Sequence, residues 1–168
     1  ISHYAVHPYG ESVVVAHQTI PDRDSQGTFR VRKLDGAGSL LFSRTYNYRP
    51  QPVPAGLLDD FLERMELHRS GLSPREVKRY IEPHMPGFEL PITGVAVATD
   101  GSIWLRREDY DREQVRWTVL SERGDPTAQL ILPAGLRIRH ITEDALFAVD
   151  EDEWGVNYLV KYAIEPGS

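Results

Sequence analysis

His3 and His7 stand four residues apart near the start of the chain, and on an extended strand that spacing points both imidazoles to the same side. Such a pair can hold a transition metal through ring nitrogens, but a stable site needs a third and usually a fourth ligand. None stands at a recognisable spacing, so no metal site is assigned. His17, His68, His84 and His140 occur singly, without the neighbour that would orient a general base. The chain has no cysteine, which removes thiol nucleophiles, thiolate metal sites and disulfides. No catalytic residue is assigned.

Two loops imitate ligand motifs. Residues 35–41, DGAGSLL, have two glycines of a dinucleotide-binding turn but lack the third, and their flanks read as a hairpin instead of a strand followed by a helix. Residues 150–155, DEDEWG, start like a calcium-binding loop, yet Trp154 occupies a ligand position and the twelfth residue is Lys161. Both read as hairpin turns. Nucleophile-elbow, zinc-protease and P-loop motifs are absent, and no cofactor is implied. The 25 acidic residues allow many carboxylate pairs for glycoside chemistry, where the deciding quantity is a separation in space.

The elements that must position these residues are strands. Residues 4–17, YAVHPYGESVVVAH, and 95–107, VAVATDGSIWLRR, each carry a short apolar run, a glycine turn and a second apolar run. Downstream, residues 28–42 align with 115–132, placing Leu34 and Leu120 each four residues before Gly38 and Gly124. Residues 138–164 start the pattern again and end after three strands. Val115, Trp117 and Val119 alternate, as one covered face requires, whereas SVVVA and SIWL are apolar throughout, as expected where both faces are covered. Trp104 is therefore expected in the core.

Residues 49–91 differ in composition. A proline-rich entry precedes Leu57, Leu58, Phe61, Leu62 and Met65 at helical spacing. Ser73, Pro74 and Glu76 then provide an N-cap, a first-turn proline and a capping-box partner for a second helix ending near Ile81, before Pro83. The apolar face of Leu57, Phe61 and Met65 needs a partner and is the expected partner-binding surface.

Four-stranded antiparallel units repeated at roughly forty residues suggest β-propeller blades. TDGSIWL resembles the Asp-Gly-x-(Ile/Leu)-(Trp/Tyr) hairpin of NHL-like six-bladed propellers, VLSERGDPTAQLIL resembles their next hairpin, and the wider run is similar to the C-terminal blades of bacterial six-bladed propeller proteins of unassigned function. The expected fold is mainly β: a partial propeller of about two and three-quarter blades with a two-helix insertion. Its parts are a first blade, 1–48, the insertion, 49–91, a second blade, 92–133, and an incomplete last blade, 134–165. The alternative is a compact α+β domain whose antiparallel sheet packs on the helices.

In a propeller the segment RIRHI is an innermost strand, where alternation sends Arg137 and Arg139 the same way. If that way is the central channel, they and His140 are candidates to bind a carboxylate or phosphate; the alternative is pairing with surface carboxylates. The expected function is a non-enzymatic binding module for a protein, peptide or glycan. The alternative is a propeller hydrolase or lyase whose active site requires blades that this chain lacks.

The net charge of −6 argues against a nucleic-acid partner, and no apolar run reaches the ~20 residues of a membrane span. The first residue, Ile1, is strand-like from the outset, so an upstream portion is expected. Unclosed blades need cover, from those upstream blades or from a second copy in a homodimer. The resemblance favours an exported protein.

Overall fold

The structure is a computed structural model and describes residues 1–19, 26–64, 73–85, 87–109 and 114–165. Three antiparallel sheets follow one another along the chain. Sheet 1 contains β1 (Ser2–Val6), β2 (Ser12–Gln18), β3 (Gly27–Asp35) and β4 (Leu40–Tyr48), paired in chain order. Sheet 2 repeats this with β5 (Gly94–Val97), β6 (Ile103–Asp109), β7 (Gln114–Leu120) and β8 (Pro126–Pro133). Sheet 3 has three strands, β9 (Arg137–Ile141), β10 (Ala145–Glu151) and β11 (Asn157–Ala163). This is the mainly β, partial propeller expected from the repeats; a single sheet packed on helices does not form.

The repeat extends to its irregularities. β3 and β4 slip register between Lys33 and Leu34, and β7 and β8 slip between Val119 and Leu120, the two leucines that the sequence aligns. Gly38 and Gly124 follow in the left-handed region, each with φ of 87°, a conformation that a side chain would strain. Gly124 also lies beneath Phe42 and Tyr46 of sheet 1, and its carbonyl accepts a hydrogen bond from the Tyr46 hydroxyl at 2.5 Å.

Each sheet has a forward face toward the next sheet and a rear face toward the previous one. The forward face of sheet 1 contributes Val14, Ala16 and Val31; these pack on Val97, Ile103, Leu105 and Leu120 from the rear of sheet 2. The forward face of sheet 2 contributes Trp104, Val115, Trp117 and Val119, packed on Ile141, Leu146 and Ala148 of sheet 3. Trp104 and Trp117 meet edge to face at 6.3 Å, a favoured aromatic geometry. Two apolar interfaces, rather than one central core, hold the fold.

Side-chain bonds to backbone fasten the first interface. Buried Gln18 donates to the Ile92 carbonyl at 2.6 Å and accepts from the Ile92 N–H at 2.9 Å. Buried Lys33 donates to the Gly101 carbonyl at 3.3 Å. At the hairpin ends, His7 Nε2 meets the Thr99 carbonyl at 3.2 Å while the Thr99 N–H donates to the Ile141 carbonyl at 3.0 Å. One chain of contacts thus links the first-strand ends of all three sheets.

Between sheets 1 and 2 the chain leaves and returns as a short stem, with Glu89 N–H donating to the Gln51 carbonyl and Val53 N–H to the Gly87 carbonyl. The stem carries α1 (Leu57–Arg64) and α2 (Pro74–Ile81). The α2 capping box forms as the sequence predicts: Ser73 Oγ accepts from the Glu76 N–H, and Glu76 Oε2 accepts from the Ser73 N–H at 2.8 Å. Pro83 lies in a single 3-10 turn beyond the end of α2. Lys78 bridges to Asp59 at 2.6 Å, tying the two helices together. No helix among the described residues is long and apolar enough to cross a membrane.

Candidate functional site

Sheets 1 and 2 open into a cleft of about 280 Å³ next to the apolar contact between their inner strands. Its sheet 1 wall is aromatic. Phe29 on β3 and Tyr46 on β4 are directly paired across the strands and stack at 5.1 Å with an interplanar angle of 17°. Tyr48, two residues along and hence on the same face, lies 6.2 Å from the Phe29 ring.

A missing side chain positions Tyr48. Gly27 is its cross-strand partner, and a Cβ at Gly27 would fall within the Tyr48 ring. With only hydrogen at that position, the ring lies flat across the strand pair and covers the glycine backbone, as aromatic residues do opposite glycine in sheets. Its hydroxyl is buried and has no hydrogen-bond partner among the described residues.

The sheet 2 wall is polar. It carries Arg107 from β6, Arg116 and Thr118 from β7, and Gln129 from β8, above an apolar floor that includes Ile92 and Leu105. Arg107 bonds Glu89 of the stem at 3.2 Å, so the insertion fixes one guanidinium of the wall. Burial pushes the Tyr48 phenol above its ordinary value, partly offset by the Arg107 guanidinium. Burial likewise raises Tyr46, with Arg44 opposing it and Asp125 adding to it. Both shifts favour the protonated phenol, which can donate as well as accept a hydrogen bond.

The residues singled out in the sequence lie elsewhere. Arg137 is exposed and bonds Asn157 Oδ1 on β11, with Glu151 at 4.0 Å. A bulge in β9 pairs Ile138 with Ala148 and His140 with Phe147, leaving Arg139 between them without a cross-strand partner. This bulge lets Ile138 and Ile141, three residues apart, both pack toward sheet 2, and it interrupts simple alternation at Arg139. His140 lies 6.1 Å from the Phe147 ring. The structure does not gather the three into one pocket with the cleft.

His7 is buried at the first hairpin end, with Nδ1 accepting from the Tyr9 N–H at 3.3 Å, so that both ring nitrogens are engaged. Among the described residues no group of three or more His, Asp or Glu side chains could hold a metal ion. The 35–41 and 150–155 loops are hairpin turns: Asp35 Oδ1 accepts from Ala37 and Ser39, and Asp152 Oδ1 accepts from Trp154 and Val156. On α1, Leu57 is half-buried and Leu58 and Leu62 are buried. The Phe61 side chain and Met65 lie outside the described residues.

The sequence reading passed over the cleft residues. Their signal was local: Tyr46 and Tyr48 alternate on one strand, opposite Phe29 on its neighbour, and form a continuous aromatic face.

The chain matches no protein-family model and no curated protein. Among solved structures, a GH43 beta-1,3-galactosidase with galactodeoxynojirimycin aligns with 99% of this chain and 55% of that chain, at 14% identity and a TM-score of 0.40. The chain thus spans little more than half the length of that enzyme chain.

Proposed function

We propose that the protein is a non-enzymatic propeller binding module, and that its ligand is a short glycan received in the cleft between sheets 1 and 2. Aromatic faces attract the apolar C–H faces of sugar rings, while amides and guanidiniums bond their hydroxyls; this mixture of apolar wall and a few placed polar groups characterises small-ligand sites. The observation that carries the reading is the make-up of the walls: stacked Phe29 and Tyr46, the unsatisfied Tyr48 hydroxyl, and Arg107, Arg116 and Gln129 opposite. Burial holds the phenols of Tyr46 and Tyr48 above their ordinary value, which favours the protonated form that donates a hydrogen bond to a ligand oxygen. The six-bladed, NHL-like character suggested by TDGSIWL belongs to the same proposal, as does placement of the protein outside the cytoplasm.

The test is an NMR titration with a panel of neutral and uronic mono- and oligosaccharides at millimolar concentration. A binding member shifts the amides of Phe29, Tyr46 and Tyr48, and Tyr48→Ala weakens it about tenfold, equivalent to ~1.4 kcal/mol. A panel that leaves those amides unmoved rejects a glycan ligand.

A further inference from the structure

Sheet 1 has an uncovered rear face, and its residues occupy the positions that sheet 2 buries. Strand registers make Tyr4, Val6, Val13, Val15 and Leu34 the counterparts of Val95, Val97, Ile103, Leu105 and Leu120. In sheet 2 that set closes against sheet 1. In sheet 1, Tyr4 is 76% and Val6 54% exposed, an apolar surface with no sheet upon it among the described residues. At the other end, the forward face of sheet 3 has no sheet upon it among the described residues and carries Phe147, Val149 and Leu159, the last 69% exposed, beside Arg137 and Lys161.

These surfaces are of opposite kinds. Both interfaces within the chain join a forward face to a rear face, and the chain leaves one of each. We infer that two copies of this chain pair head to tail, the forward face of sheet 3 in each closing on the rear face of sheet 1 in the other, to give a two-fold ring of six sheets. A heterologous contact that closes under two-fold rotation buries both free faces at once.

By register Glu151 on sheet 3 stands where Gln18 stands on sheet 1, so the acidic hairpin of Glu151, Asp152 and Glu153 lies level with Arg30 on the rear of sheet 1, where opposite charge fixes register. Glu151 also faces Arg137 of its own sheet at 4.0 Å.

Sedimentation velocity at micromolar concentration tests the pairing. The wild-type chain is expected at twice its 19.1 kDa mass. Val6→Lys removes only the rear contact and Leu159→Arg only the forward one, so each variant alone sediments as a monomer. Mixed, they form a heterodimer through the one interface whose two faces are both intact. Both substituted side chains are exposed, and circular dichroism checks that each variant is folded. A monomeric wild type, a dimer that survives either substitution, or folded variants that remain monomeric on mixing each overturns the inference.

Discussion

Gln18 and Ile92, 74 residues apart in sequence, exchange two hydrogen bonds through one side-chain amide, which donates to the Ile92 carbonyl and accepts from its N–H. Both groups are buried, so water cannot replace either bond. Gln18→Leu should lower the stability to urea by about 2–4 kcal/mol, the cost of two buried backbone groups left unpaired. Gln18→Glu should cost at least as much, because a carboxylate cannot donate to the carbonyl and is itself buried. Equilibrium denaturation measures both; a midpoint unchanged in Gln18→Leu removes the clamp from the account.

Gly27 and Tyr48 offer a test by compensation. Gly27→Ala places a methyl group within the Tyr48 ring position, and the displaced ring should cost roughly 1–3 kcal/mol, as overpacking does. In Gly27→Ala/Tyr48→Ala the clash is absent, so the two substitutions should be non-additive by about 1 kcal/mol or more. Additive losses would mean that the ring does not rest on the glycine.

The α2 capping box makes a pH-dependent contribution of known sign. Bonds from the Ser73 side chain and backbone hold the Glu76 carboxyl below its ordinary value of 4.5. A depressed folded-state value means that unfolding takes up protons as the solution is acidified. The stabilisation is complete above the ordinary glutamate value and is lost as pH falls through the depressed one. Amide-exchange protection in α2 should follow that course, and Glu76→Gln, which keeps a neutral capping box, should flatten it. Equal acid sensitivity in the two proteins would assign the effect to other carboxylates.

The parts of this fold legible in the sequence are those determined by neighbours along the chain. The left-handed turn glycines, the Ser73–Glu76 box and the apolar stretch through Ile103, Trp104 and Leu105 each report their local conformation and burial. The contacts that orient the sheets were not legible. Gln18 reaching Ile92, Lys33 reaching Gly101 and His7 reaching Thr99 join a side chain to backbone that any residue would present, so the partner leaves no mark of its own in the sequence. The cleft escaped for a related reason. It depends on Tyr48 lying over an absent side chain at Gly27, and on a guanidinium, Arg107, held by Glu89 of the stem. The β9 bulge was hidden as well, because RIRHI reads as regular alternation and only the pairing with β10 shows the extra residue.

The chain passes from β4 to β5 through residues 49–93, but from β8 to β9 through 134–136 alone. Both routes deliver the next first strand beside the preceding one, so sheet stacking is indifferent to the length of this junction. Loop-closure entropy grows only with the logarithm of length, which makes the junction a permissive seam. The part beyond the stem bonds, between Val53 and Gly87, can be enlarged, exchanged or pruned while Glu89 and Ile92 keep their contacts to Arg107 and Gln18, and a grafted recognition element would find a ready-made attachment point there.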